Sequence, residues 1–192
     1  QVGDEAQTYI PAHSISVLEL TQPQFKAEFC QKYQQAIFKD IQLKRPLKVV
    51  LDGLHGSAGH CSKLILEKMG CEVIALRTNP NGEFPDHAPD PSHAAHLTHL
   101  RKAVVEQQAD IGIALDGDGD RVVLIDEKAQ ILTADRLLSL FAQMCLEQHP
   151  EQEIVFDVKC SRMVQETVEK LGGKAKMIRT GSSFLRAYLS QS

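Results

Sequence analysis

Nowhere in the 192 residues is there a CxxC pair, an apolar run long enough to span a membrane, or a basic stripe interleaved with aromatics. Each absence excludes something. Five cysteines (Cys30, Cys61, Cys71, Cys145, Cys160) stand scattered. An odd, dispersed set argues for reduced thiols in a cytosolic protein, and against a disulfide framework or a zinc site. A membrane helix needs roughly 18 consecutive apolar residues, and no stretch offers them. With a formal net charge of −4 and no basic stripe, a nucleic-acid partner is disfavoured. The first twenty residues lack the basic start and apolar core of a signal peptide. Internal repeats and low-complexity tracts are missing too. What is present is 43% hydrophobic residues over a length that suits one large domain or two small ones.

The apolar pattern orders the elements. From Pro23 to Asp40, Phe25, Phe29, Tyr33 and Ile37 recur every four residues, marking one face of a helix. "LKVVLDG" reads as a buried strand, "CSKLILEKMG" as a helix stopped by Gly70, and "CEVIALR" as a second strand. The loop "TNPNGEFPDHAPDP" cannot be regular. Ser92 is placed to cap the next helix, whose core face carries Leu97, Leu100 and Val104, and "DIGIALD" is a third strand. This order predicts a three-layer α/β/α unit around a mixed, mostly parallel sheet. "RVVLID", the turn "EKAQ" and "ILT" read as a hairpin. A second alternation follows: a helix from Asp135 to about Gln148, strand "EIVFDVK", a helix begun by Ser161 and ended by Gly172–Gly173, strand "KAKMIRT", and a last helix in "SSFLRAYL". With a boundary near Gln130, this second α/β unit has only two clear strands and reads as incomplete.

Between the third strand and the hairpin lies "ALDGDGDR". Two carboxylates about 5 Å apart repel by about 3 kcal/mol at an effective dielectric near 20, so crowding Asp116, Asp118 and Asp120 together calls for a counter-charge. Carboxylate oxygens match a hard divalent cation, Mg²⁺ or Ca²⁺, and the intervening glycines let the backbone fold around it. An EF-hand is the nearest rival, since Glu127 falls at its last ligand position. Arg121, however, replaces the glycine of its sharp turn, and the segment before is strand-like. Arg121 beside a metal suits a phosphate, whose oxygens a guanidinium meets bidentately.

The other glycine-rich turn, "DGLHGSAGH", has GxxGxxG spacing rather than GxGxxG, and the second strand ends in Arg77 where a nicotinamide site wants an acid. It reads as a tight turn packing helix on strand, with His55 and His60 flanking it in reach of an anion. His93, His96 and His99 are spaced three and three, with His96 and His99 off the apolar stripe, and read as a solvated helix face.

Taken together, these segments resemble the α-D-phosphohexomutases, in particular the bacterial phosphomannomutase/phosphoglucomutase group. "LDGDGDR" is similar to the family's metal loop, "GEFPDHAPDP" to a loop of its second domain, "ADRLLSLFA" to the opening of its third, and "FDVKCSR" to a stretch typical of the bacterial group. The resemblance runs from about Pro46 to Thr180. It implies a four-domain isomerase that moves phosphate between O1 and O6 of a hexose through a phosphoserine and a bisphosphate intermediate. Mg²⁺ would be held by Asp116, Asp118 and Asp120, with Arg121 adding charge. Lys159 matches the lysine of "VKC", near the sugar hydroxyls and suited to acid–base work or phosphate attraction; Cys160 beside it reads as packing. Arg136 matches an arginine at a helix start. Thr180 and Gly181 match "TGH", with Ser182 where the pattern has histidine; a hydroxyl still hydrogen-bonds phosphate but carries no charge. No "TASHNP"-like phosphoserine segment or "GEMSGH"-like sugar loop occurs. The implied layout is a remnant or linker over 1–20, the metal-loop domain over 21–130, and part of the next domain over 131–192. The implied partners are a hexose phosphate and the remaining domains, with no nucleic acid or membrane. The alternative is a calcium-dependent binding module using the same acids.

Overall fold

The computed structural model describes residues 23–38 and 41–190, with side chains from residue 31 onward. The linker expected over residues 1–20 lies outside the described residues, as do the side chains of Phe25, Phe29 and Cys30. Helix α1 (Pro23–Phe38) forms as expected, but Tyr33 is 52% exposed while Gln34 is buried. A four-residue spacing drifts by about 40° per step on a helix of 3.6 residues per turn, so the stripe it draws winds around the helix rather than running straight along it.

Residues 43–190 carry the two sheets. Strand β1 (Lys48–Asp52) pairs in parallel with β2 (Glu72–Leu76) on one side and β3 (Ile111–Leu115) on the other. Helix α2 (Gly59–Lys68) joins the first pair; a 3₁₀ turn (Ala94–Leu97) and α3 (Thr98–Glu106) lead into β3. The crossover from β1 to β2 and the one from β2 back past β1 to β3 run in opposite directions across the sheet, so right-handed connections put α2 and α3 on opposite faces. Antiparallel β4 (Val122–Asp126) and β5 (Ile131–Leu132) complete the order β2-β1-β3-β4-β5. Val50, Leu97, Leu100, Val104, Ala114 and Ile125 form the core beneath α3. The side-chain period of two turns Val49 and Leu51, also fully buried, to the other face.

Four elements alternate next: α4 (Ala134–Gln148), β6 (Glu153–Asp157), α5 (Arg162–Lys170) and β7 (Lys174–Ile178), with β6 and β7 parallel. Helix α6 (Ser182–Leu189) follows. Ala142, Leu146 and Val168 make a small core with Ile154 and Ala175. Two strands cannot cover everything: Leu140, Phe141, Met144 and Met177 stay about half exposed.

Ser92 does not cap the helix before β3. Its N–H donates to Asp90 Oδ1 at 3.0 Å, and its hydroxyl also bonds the Asp90 carboxylate. Engaged in that turn, Ser92 leaves His93 at the cap of the 3₁₀ segment. The shifted start turns His96 inward. Contrary to the expected solvated face, His96 is half-buried, stacked on His87 at 3.9 Å between centroids, and its Nδ1 donates to Asp90 O at 2.6 Å. His93 and His99 are exposed.

Leu100 is fully buried and Val105, on the same helix, is 56% exposed. Leu100→Ala is expected to cost about 2–5 kcal/mol in urea unfolding, and Val105→Ala less than about 0.5 kcal/mol.

Candidate active site

Residues 116–121 turn the chain from the carboxyl end of β3 into antiparallel β4. A strand–turn–strand setting rules out the helix–loop–helix of an EF-hand. Asp116 is 2% exposed, while Asp118 and Asp120 face solvent. Each offers an oxygen, and these oxygens all lie within 4.8 Å of one another. Such an all-oxygen donor set can hold a hard divalent cation. Gly119 takes φ 78°, which lets the turn close without a Cβ in the left-handed region.

Arg121 is the neutralising partner within this cluster. Its backbone N–H donates to Asp116 Oδ1 at 3.0 Å and its Nε to Oδ2 at 2.7 Å. One terminal nitrogen reaches Asp90 Oδ1 at 3.2 Å, and Nε lies 3.7 Å from Asp120. Burial pushes the Asp116 carboxyl up, but those two hydrogen bonds and the arginine charge outweigh it and hold it below the usual carboxylate range. Asp120 goes the other way, raised by the charges of Asp118 and Asp116. That residual repulsion is what a bound cation would relieve.

The glycine turn after β1 packs on the aspartate turn. A Cβ on Gly56 would lie 2.7 Å from the carbonyl oxygens of both Asp116 and Gly117, and Ser57 donates from N and from Oγ to Gly117 O at 2.9 and 3.2 Å. Beneath it, Asp52, wholly buried, accepts from Arg77 Nε at 3.0 Å and from a terminal nitrogen at 2.5 Å. Arg77 also donates to His87 Nε2 at 2.9 Å, and His87 Nδ1 donates to Ala88 O at 2.8 Å. His55 is turned to Asp86 and Asn79 O, and His60 is exposed.

A cavity of about 690 Å³ opens at the carboxyl ends of β6 and β7, lined in part by Asp135, Lys159, Cys160, Arg179, Thr180 and Ser182. The structure therefore brings Lys159, Thr180, Gly181 and Ser182 together and leaves Arg136 exposed, outside the lining. Lys159 is exposed at the cavity, its N–H donating to Asp157 Oδ1 at 2.8 Å. Thr180 Oγ1 is buried without a partner. Burial, then the charges of Asp157 and Asp135, raise the Cys160 thiol, so it is no activated nucleophile. Asp135 and Arg179 escaped the sequence reading. Asp135 is an acid in the first turn of α4, and Arg179 adjoins Thr180 and lies over the Phe184 ring. The Asp90 contact to Arg121 spans 31 residues and left no local trace.

A mostly parallel sheet with an acidic turn at a strand's carboxyl end, followed by a second βα unit, defines an α/β protein of the class that gathers its ligand-binding residues at the carboxyl ends of its strands. Residues 27–129 match the family profile described as phosphoglucomutase/phosphomannomutase, alpha/beta/alpha domain II, and residues 133–192 that of domain III. A phosphomannomutase/phosphoglucomutase of Pseudomonas putida is 43% identical over 166 residues, which is 86% of this chain and 36% of that protein. A phosphoglucomutase of Neisseria meningitidis is 36% identical over 160 residues, 83% of this chain and 35% of its own length. The crystal structure of a phosphoglucomutase/phosphomannomutase family protein from Burkholderia thailandensis superposes with TM-score 0.81 at 39% identity, over 84% of this chain and 35% of that one. The chain belongs to the phosphoglucomutase/phosphomannomutase family of the α-D-phosphohexomutases, in its bacterial group. It spans about 36% of the length of the Pseudomonas putida relative.

The hydroxyls of Ser161 and Thr133 hold the Asp135 carboxyl at about 2, against 3.8 ordinarily. A depressed carboxyl adds stability that is complete above its unfolded pKa and lost as pH falls through the folded one. The melting-temperature difference between wild type and Asp135→Asn is therefore expected to be constant above about pH 5 and to shrink between about pH 4 and about pH 2. Calorimetry across that range checks it.

Proposed function

We propose that this chain is the cation-binding and part of the sugar-phosphate-binding portion of an isomerase that interconverts hexose 1-phosphate and hexose 6-phosphate. The reading rests above all on the Asp116–Asp118–Asp120 cluster at the end of β3 with Arg121 on it. It is supported by relatives named phosphomannomutase/phosphoglucomutase and phosphoglucomutase. In such a reaction a phosphoserine hands its phosphate to the sugar, and the resulting bisphosphate returns the other one. The three aspartates would hold Mg²⁺, which supplies charge stabilisation to the transferring phosphoryl group. Arg121, already oriented by Asp116 and Asp90, adds a guanidinium whose exposed edge suits phosphate oxygens. Lys159 stands at the cavity mouth as the group to move a proton at a sugar hydroxyl or to attract phosphate. The unpartnered Thr180 hydroxyl, Gly181 and Ser182 at the start of α6 suit a phosphate or sugar oxygen. Arg136 would join them only through movement of its side chain. No segment like the family's phosphoserine loop occurs in the sequence, so the serine would come from another part of the protein.

Calorimetric titration of the chain with Mg²⁺ is expected to show one site, weakened at least about tenfold by Asp118→Asn, equivalent to about 1.4 kcal/mol. No binding, or a strong preference for Ca²⁺, would overturn the metal assignment. Glucose 1-phosphate or mannose 1-phosphate, mixed with the chain and an activating bisphosphate, is expected to give no 6-phosphate by ³¹P NMR. Turnover would refute the dependence on further domains.

A further inference from the structure

The glycine turn between β1 and α2 lies outside the cavity at β6 and β7 and contributes no member to the aspartate cluster, yet it meets the aspartate turn backbone to backbone. Ser57 is the point of contact. Its N–H and its hydroxyl both donate to the Gly117 carbonyl, at 2.9 and 3.2 Å. Gly117 is the residue between the buried Asp116 and the exposed Asp118. A peptide group is planar, so gripping its carbonyl fixes the plane of the bond on which Asp118 hangs. Pro89 also packs on Gly117, its Cγ 3.0 Å from where a Cβ there would lie. Asp90, next in sequence, holds Arg121 at 3.2 Å. The aspartate turn is thus clamped by two other segments.

The clamp has a rigid base. Leu54 and His55 take φ 46° and 60°, and Arg77 takes φ 47°. Such left-handed conformations in residues other than glycine cost free energy and persist only where surroundings over-determine them. Here the surroundings are specific: Gly53 N–H donates to Leu76 O at 3.0 Å, His55 N–H to Arg77 O at 2.9 Å, and the buried Asp52 carboxylate holds Arg77. No room is left for slack. A Cβ on Gly56 would meet the oxygens of Asp116 and Gly117 at 2.7 Å and the Gly117 Cα at 2.9 Å, all of them backbone atoms.

From this geometry we infer that Ser57, seated by Gly56, is a positioning residue for the metal turn: it orients the 117–118 peptide so that Asp118 shares one ion with Asp116 and Asp120. The inference rests on the metal reading above and deepens it. Ser57 acts through the Gly117 carbonyl and is not itself among the clustered carboxylates.

Four variants of the 192-residue chain test it, with Mn²⁺ affinity by electron paramagnetic resonance, melting temperature, and amide hydrogen exchange of residues 116–121 without metal. Ser57→Ala loses one of two hydrogen bonds and is expected to weaken Mn²⁺ about two- to tenfold, with faster exchange at 117–121 and a melting temperature within a few degrees of wild type. Ser57→Thr keeps the hydroxyl and is expected to restore affinity to within about twofold. Gly56→Ala is expected to lose more than tenfold, while Gly82→Ala, where a Cβ meets nothing within 4 Å, leaves affinity unchanged. Wild-type affinity and exchange in Ser57→Ala would overturn the inference, even if its melting temperature falls. If the wild-type chain binds no Mn²⁺, the metal reading fails by itself. Exchange then decides this inference: acceleration at 117–121 in Ser57→Ala supports the clamp, and unchanged exchange removes it.

Discussion

Everything else in the first sheet is arranged around one close approach, that of the turn after β1 to the turn after β3. Two adjacent parallel strands end together, and the loops leaving them must share the space above their carboxyl ends. With ordinary side chains they would collide. Gly56 removes the Cβ that would strike Asp116 and Gly117, and Ser57 adds hydrogen bonds across the gap. Three carboxylates that repel one another by a few kcal/mol per pair then stay in one place, because the backbone beneath them cannot relax outward. Arg121 offsets part of that repulsion from within.

The buried Asp52–Arg77 pair plays a supporting part. A buried ion pair is weak as a source of net stability, since desolvation consumes most of the attraction. It is strong as a geometric device, because breaking it leaves a charge uncompensated. Arg77 meets Asp52, Asp86, His87 and the His96 carbonyl at once. It thereby ties the end of β2 to the irregular loop that delivers Pro89 and Asp90 to the aspartate turn. The same logic recurs beside the second sheet, where the cavity sits at the carboxyl ends of β6 and β7. Open parallel sheets place their binding residues there because the crossovers leave a crevice at that end.

Sequence periodicity carried far where the governing interaction was local or repeated. The strands of both sheets, the hairpin over 122–132 and the glycine stop after α5 follow from apolar pattern and turn residues within a few positions. Reading failed where one distant or competing contact decided the outcome. Asp90 captured Ser92 and so moved the helix start, and that in turn brought His96 under His87. On α1, a four-residue apolar spacing concealed its own drift, and Gln34 rather than Tyr33 is buried. The candidate site divides the same way. The aspartate cluster was visible because its carboxylates lie within five residues, whereas Asp135, Arg179 and the Asp90–Arg121 contact depend on chain segments meeting in space.

By itself the sequence determined the order of strands and helices, the parallel character of the sheet, and the presence of a crowded acidic turn, since each rests on residue type and spacing along the chain. Only the tertiary structure decided which carboxylates are buried, which cation faces them, and that a serine some sixty residues away grips the turn between them. The reason is physical. Burial, charge pairing and backbone contact are properties of neighbours in space, and the parallel pairing of β1 with β3 brings together neighbours that the sequence keeps far apart.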